Sequence, residues 1–183
     1  MLYIVTALKS EAQAFVDKYK LRKTKLNNFT IFSNSSLTII VSGIGIINSK
    51  NATQVILDNF NTSRDDIFLN IGICGANKEF NIGELIIIDT ISYKDEKILI
   101  NKSNINNLTC VDEEISFNMY RIVDMESFGF YSALVSSHVN KIYILKVVSD
   151  HFEPSKVTKE FTKSLIFNVI DDINKIIFKE VRE

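Results

Sequence analysis

Ile122-Val123-Asp124-Met125-Glu126-Ser127 reads as a short apolar lead-in that delivers an acidic cluster, Asp124-Met125-Glu126, to the start of a helix running from Ser127 to Val135. A carboxylate at a helix N-terminus meets free backbone N–H groups and the positive end of the helix dipole, so Glu126 is expected to stay ionised there. Met125 beside it offers a polarizable, adaptable apolar surface. The pair suits a ligand with one hydroxyl-bearing face and one apolar face, and a sugar ring fits that description. The same residues also admit a plain structural reading, in which Glu126 caps the helix and Met125 fills core.

Upstream, Leu2 to Thr6 is a β-rich apolar run followed at once by Ala7 to Tyr19, where Leu8, Ala12, Phe15, Val16 and Tyr19 recur at helical spacing. Strand, tight turn and helix put Glu11 in a first helical turn above a strand end, where ligands collect in open α/β sheets. Phe29 to Ser33 and Leu37 to Ser42, joined by Asn34-Ser35-Ser36, read as a hairpin. The second strand runs into Gly43-Ile44-Gly45, a glycine turn that feeds a helix to about Phe60. Asp66 to Ile71 is another strand, and Gly72-Ile73-Cys74-Gly75-Ala76 after it reads as a second small-residue turn facing the same crevice. Gly83 to Asp89 reads as a further buried strand.

From Asp89 to Val123 the pattern loosens, with an Asn- and Ser-rich loop at 101–107 and a strand at Leu108 to Val111. Lys141 to Val148 is a strongly apolar strand that stops at Ser149-Asp150-His151 and so presents another acid at a strand end. Alternation along it projects Lys146 and Asp150 to one side. A closing helix is expected over Lys156 to Lys179, with Phe161, Leu165, Val169, Ile173, Ile176 and Ile177 on one face.

Composition excludes several classes. The 183 residues are 46% hydrophobic, enough for one substantial core, so a single domain over 1–183 is expected. Lys plus Arg number 21 against 22 Asp plus Glu, without the basic run that tracking a nucleic acid requires. No stretch reaches the roughly 18 consecutive apolar residues of a membrane helix. The opening Met1 to Ala7 meets Lys9 and Glu11 too soon for a signal peptide. Cys74 and Cys110 lack metal-ligand spacing, so no metal site is indicated. A cytoplasmic location follows as the expectation, with no nucleic acid and no membrane among its partners.

The order Thr6-Ala7-Leu8-Lys9-Ser10-Glu11, Ser42-Gly43-Ile44-Gly45-Ile46-Ile47-Asn48, Asn70-Ile71-Gly72-Ile73-Cys74-Gly75, Gly83-Glu84-Leu85, Val123-Asp124-Met125-Glu126 and Val147-Val148-Ser149-Asp150 resembles the purine nucleoside phosphorylase and nucleosidase superfamily. Within it, the resemblance is to the 5'-methylthioadenosine/S-adenosylhomocysteine nucleosidases. It covers most of the chain outside roughly 90–120. It implies a three-layer α/β/α fold with a mixed central sheet, and hydrolysis of the N-glycosidic bond of a purine nucleoside through an oxocarbenium-like transition state, with phosphorolysis or a catalytically weakened nucleoside-binding homologue as the alternatives.

The resemblance further implies a role for each matching residue. Asp150 would deliver a proton to the purine N7, oriented by Ser149, and Glu11 would orient and deprotonate the attacking water. Glu126 would bind the ribose hydroxyls and Met125 the apolar face of the sugar. Lys146 would steady the water or Glu126, or serve only as a structural ion-pair partner, and Ile73, Cys74 and Gly75 would border the substrate. Phe152, Phe117 and Tyr120 are candidates to clamp the base, and His151 is expected to be structural. Phosphorylases of the superfamily carry an arginine cradle for phosphate; Ala7 to Glu11 and Asn70 to Gly72 stand in those places here, so water is the expected nucleophile and no cofactor is implied. Two departures stand out. Ile73 occupies a position where the family has a Ser or Thr, and the span from Asp89 to Val123 is about half the length of its counterpart. That shortening leaves the base side of the pocket open, or completed by another subunit in a homodimer.

Overall fold

Leu2–Thr6 (β1) is buried at every position, and its side chains divide by parity: Tyr3 and Val5 enter one core, Leu2 and Ile4 the other. A strand apolar on both faces needs cover on both faces, which calls for helices above and below the sheet. The computed structural model describes residues 1–103 and 105–178, so Lys179, the expected last residue of the closing helix, lies outside the described residues.

On one face lie α1 (Lys9–Tyr19) and α4 (Lys159–Phe178), whose Ala12, Phe15, Leu165, Ile166 and Val169 pack with Ile4 and Leu69. On the other lie α2 (Ile46–Asn59) and α3 (Ser127–Leu134), whose Ala52, Ile56, Phe130 and Leu134 pack with Tyr3 and Phe68. Between them, eleven strands among the described residues form one mixed sheet. This is the three-layer α/β/α arrangement.

The sheet continues with β2 (Arg22–Leu26), β3 (Phe29–Ser33), β4 (Leu37–Val41), β5 (Ile67–Ala76), β6 (Leu85–Ile87), β7 (Thr90–Tyr93), β8 (Glu96–Leu99), β9 (Asn107–Cys110), β10 (Ile122–Asp124) and β11 (Lys141–Asp150). β11 lies along nearly the whole of one edge of β5. The opposite edge is shared: β1 pairs in parallel over Ile67 to Asn70, and β10 pairs antiparallel at Gly75 and Ala76. Between these partners the edge forks open over Ile71 to Cys74. The fork positions the site.

Gly72 to Ala76 is therefore strand, not the turn that its small residues suggest. The reason is close approach. A Cβ on Gly72 would lie 3.0 Å from the Glu11 Oε1 and 3.6 Å from the Lys146 Nζ, so the missing side chain is the space those groups occupy. Of the expected Gly83 to Asp89 strand, Leu85–Ile87 is paired antiparallel to β11, and Gly83, Glu84 and Ile88 add backbone hydrogen bonds to it on either side. In α4, Leu165, Val169, Ile173 and Ile177 face the core as expected, whereas Phe161 is exposed because it lies in the first turn, at the rim of the layer. β2 escapes a periodicity reading because its residues are polar and mostly exposed, as suits a sheet edge. The turn Asn27-Asn28 fixes it, with both residues at positive φ, the geometry of a two-residue hairpin.

α2 and α3 meet closely enough that a Cβ on Gly129 would lie 1.9 Å from the Ile46 carbonyl oxygen. Gly129→Ala is expected to destabilise the fold by about 1 to 3 kcal/mol, because backbone rather than a flexible side chain must move. An unchanged denaturation midpoint would show that the two helices part freely.

Candidate active site

Glu11 reaches the fork from the first turn of α1. Its Oε2 accepts the Leu8 N–H at 2.8 Å and its Oε1 the Ile73 N–H at 3.0 Å, an amide left unpaired where β1 and β10 diverge from β5. The carboxyl is 1% exposed. Burial raises it above its ordinary range, against the opposing pull of the Leu8 and Ile73 amides and the Lys146 charge.

Asp124 and Glu126 divide the work that the sequence assigns to Glu126 alone. Asp124 holds the start of α3, accepting the Ser127 N–H at 2.9 Å and the Ser127 hydroxyl at 2.8 Å. Glu126 turns away from α3 to the N-terminus of α2, where its Oε1 accepts the Gly45 N–H at 3.0 Å. Nor does Glu126 keep an ordinary carboxylate pKa. Burial first, then the neighbouring Asp124 charge, push it up to about 7, outweighing Lys146 and the Gly45 amide.

This shift has a testable sign. Because the folded protein holds the Glu126 proton more tightly than the ordinary value near 4.5, ionising it costs stability as pH rises from about 4.5 through about 7. Glutamine keeps an acceptor for the Gly45 N–H and carries no charge. Thermal denaturation should find Glu126→Gln increasingly stable relative to wild type from pH 5 to pH 8, and a difference that does not vary with pH would contradict the raised carboxyl.

Lys146 on β11 is sealed at 1% exposure, and its Nζ lies 2.8 Å from the Asp124 Oδ2. Burial disfavours its charge, but Asp124, Glu126 and Glu11 together hold the ammonium above its ordinary range. Strand alternation alone would aim Lys146 and Asp150 the same way. The structure breaks that alternation with a register shift between Val148 and Asp150, which re-aims Asp150 beside Gly75. Asp150 Oδ2 accepts the Ser149 hydroxyl at 2.7 Å and Oδ1 the Glu153 N–H at 2.8 Å; the Ser149 Oγ also lies 3.1 Å from the Cys74 carbonyl oxygen.

Glu11, Ile73, Cys74, Gly75, Met125, Glu126, Ser149 and Asp150 all border one cavity of about 440 Å³, within the usual range for small-molecule sites. Lys146 and Phe152 do not. Lys146 is drawn out of the wall by Asp124, and Phe152 is buried with its ring 3.9 Å from the Cβ position of Gly75, on a backbone with φ +63°. Phe117 is exposed, and neither it nor Tyr120 lines the cavity. Val111 and Ile115, inside the shortened segment, line the cavity together with Val123 and Val157. Sequence reasoning placed Val123 in a motif and Val111 at a strand end, but gave none of the four a place in the site. His151 binds the Ala76 carbonyl through Nδ1 at 3.0 Å.

No protein-family model and no curated protein matches the sequence. Solved structures do match. A 5'-methylthioadenosine/S-adenosylhomocysteine nucleosidase from Campylobacter jejuni superposes with a TM-score of 0.80 at 19% identity, over 97% of this chain and 98% of that one. The corresponding nucleosidase from Neisseria meningitidis, in complex with methylthio-immucillin-A, gives 0.78 at 15% identity over 97% and 98%. The chain has the nucleosidase fold. Futalosine hydrolase of Helicobacter pylori strain 26695 is similar to the same degree, with a TM-score of 0.79 at 14% identity over 98% of this chain and 97% of that one. Among the described residues, no helix of this nucleosidase-like fold is long and apolar enough to cross a membrane.

Proposed function

We propose that the chain hydrolyses the N-glycosidic bond of a purine nucleoside of the 5'-methylthioadenosine or S-adenosylhomocysteine kind and releases the free base. The observation that carries this reading is the convergence of Glu11, Glu126 and Asp150 on one nucleoside-sized cavity, in a fold whose solved relatives include nucleosidases. The roles divide by environment. Asp150, oriented through Ser149 and the Glu153 amide, protonates the purine N7 so that the base leaves neutral. Such general acid catalysis contributes about 100 to 10,000-fold.

Glu126 accepts the ribose hydroxyls, and Met125 packs on the apolar face of the sugar. Glu11, fixed by two backbone amides, orients the water and takes its proton. Positive charge building at the anomeric carbon is stabilised by the carboxylates already in place. The same carboxylates repel a phosphate dianion, and among the described lining residues there is no arginine to grip one. Water is therefore the nucleophile in this reading. The chain acts as one domain, with a small-molecule nucleoside and water as its partners in the cytoplasm, and a homodimer is the assembly to look for.

The test is a panel of nucleosides incubated with purified protein, with and without phosphate, and free base followed by chromatography. The panel should include futalosine beside the 5'-substituted adenosines, because futalosine hydrolase shares the fold. Base released without phosphate is expected, and base released only with phosphate would overturn the hydrolytic assignment.

A further inference from the structure

Three buried carboxyl groups and one buried ammonium meet beneath the cavity: Glu11 from α1, Asp124 from β10, Glu126 before α3, and Lys146 from β11. Cys74 from β5, Cys110 from β9 and Asp150 from β11 are the other titratable groups around them. One cation cannot pair closely with all three acids. A lysine ammonium is a compact charge on a flexible stem, so which acid it serves depends on what anchors it.

Asp124 is the anchor. Its Oδ2 sits 2.8 Å from the Lys146 Nζ and also accepts the Ser127 N–H, while Oδ1 accepts the Ser127 hydroxyl. Three donors fix the carboxylate, whose side chain is 0% exposed although the residue borders the cavity. Held there, the ammonium acts electrostatically on both Glu11 and Glu126 without bonding to either. It lies with the Glu11 Oε1 beside the empty Cβ position of Gly72.

We propose that Asp124 is a positioning residue: by anchoring Lys146 it keeps that one cation shared between Glu11 and Glu126, leaving both carboxylates free for the water and the ribose. The inference rests on the hydrolytic reading above, and it assigns Asp124 no contact with substrate. Without the anchor, Lys146 swings onto one carboxylate and silences it.

Asp124→Asn tests this. An asparagine can keep its oxygen on both the Ser127 N–H and the ammonium and turn its N–H₂ to the Ser127 Oγ, but it lacks the negative charge that holds Lys146. Two readouts are expected: kcat/KM for base release falls by about tenfold or more, and the titration of Glu11, which feels the Lys146 charge and not that of Asp124, moves as the ammonium leaves its shared position. The second is read from ¹³C carboxyl signals in glutamate-labelled protein, with Glu11→Gln identifying the resonance, and needs no activity. A folded variant whose Glu11 midpoint stays where the wild type has it would overturn the proposal, since removing the Asp124 charge alone does not move it.

Should Asp124→Asn fail to fold, the double variant Asp124→Asn/Lys146→Met removes both charges, a change that buried pairs tolerate far better than loss of one partner. It should fold and still lose about tenfold in kcat/KM, here because no cation is left to offset the burial of Glu11; full activity would mean that the pair is only structural. A wild-type protein that releases no base sinks the hydrolytic reading, and the carboxyl titration still tests the shared cation.

Discussion

Asp150→Asn is expected to lower kcat for base release by about 100-fold or more while the protein stays folded. The hydrogen bonds explain why the fold survives. The substituted asparagine can accept the Glu153 N–H through its Oδ1 and turn its amide N–H₂ to the Ser149 Oγ, whose own hydroxyl hydrogen can go to the Cys74 carbonyl. Every partner of the native carboxyl is thereby retained, and only the transferable proton is lost.

The consequence for mechanism is specific. An amide still donates a hydrogen bond to the purine N7, so substrate affinity should change little, and the loss should fall on kcat. Nucleosides whose base leaves readily without protonation should lose much less than adenine nucleosides. A variant that turns over at the wild-type rate would remove Asp150 from the role of acid, and a loss confined to KM would make it a binding residue.

Much of this architecture could be read from the chain, and the failures have physical causes. Leu2 to Thr6 and Lys141 to Val148 were legible as strands because both faces are buried, which leaves continuous apolar runs. Gly72 and Gly75 misled because glycine in a strand looks like a turn until the groups occupying its side-chain space are visible. The polar edge strand β2 and the short strands β7 and β8 depend on their neighbours for pairing, not on their own periodicity, whereas β9 was legible as the run from Leu108.

The site followed the same division. Glu11, Met125, Glu126, Ser149 and Asp150 could be picked out by motif because each sits at an element end, and they do share a cavity. What motif reading could not supply was the partner of each. Asp124 was visible only as one acid of a cluster, since the ammonium that gives it meaning comes from Lys146 on another strand. Glu126 looked like the cap of its own helix, whereas the amide it finds belongs to Gly45, 81 residues away. Charge placement in a buried cluster is a tertiary property.

Glu11→Gln should produce a loss of similar size, about 100 to 10,000-fold in kcat, for the opposite chemical reason: the site would keep its acid and lose its base. Each oxygen of Glu11 already holds one backbone N–H, so the carboxylate is fixed and its remaining lone pairs are available to the water. Burial raises this carboxyl, which makes it a stronger proton acceptor than a solvated glutamate. Glutamine can keep only one of the two amides, must turn an N–H₂ toward the other, and cannot accept a proton. Because Glu11 does not grip the sugar in this reading, a non-hydrolysable nucleoside analogue should bind the variant within a few-fold of wild type, as calorimetry would show. Loss of that binding together with rate would mean that Glu11 shapes the pocket instead of activating water. Retention of rate within about tenfold would reduce it to the cap of α1, closing the first turn on the Leu8 amide.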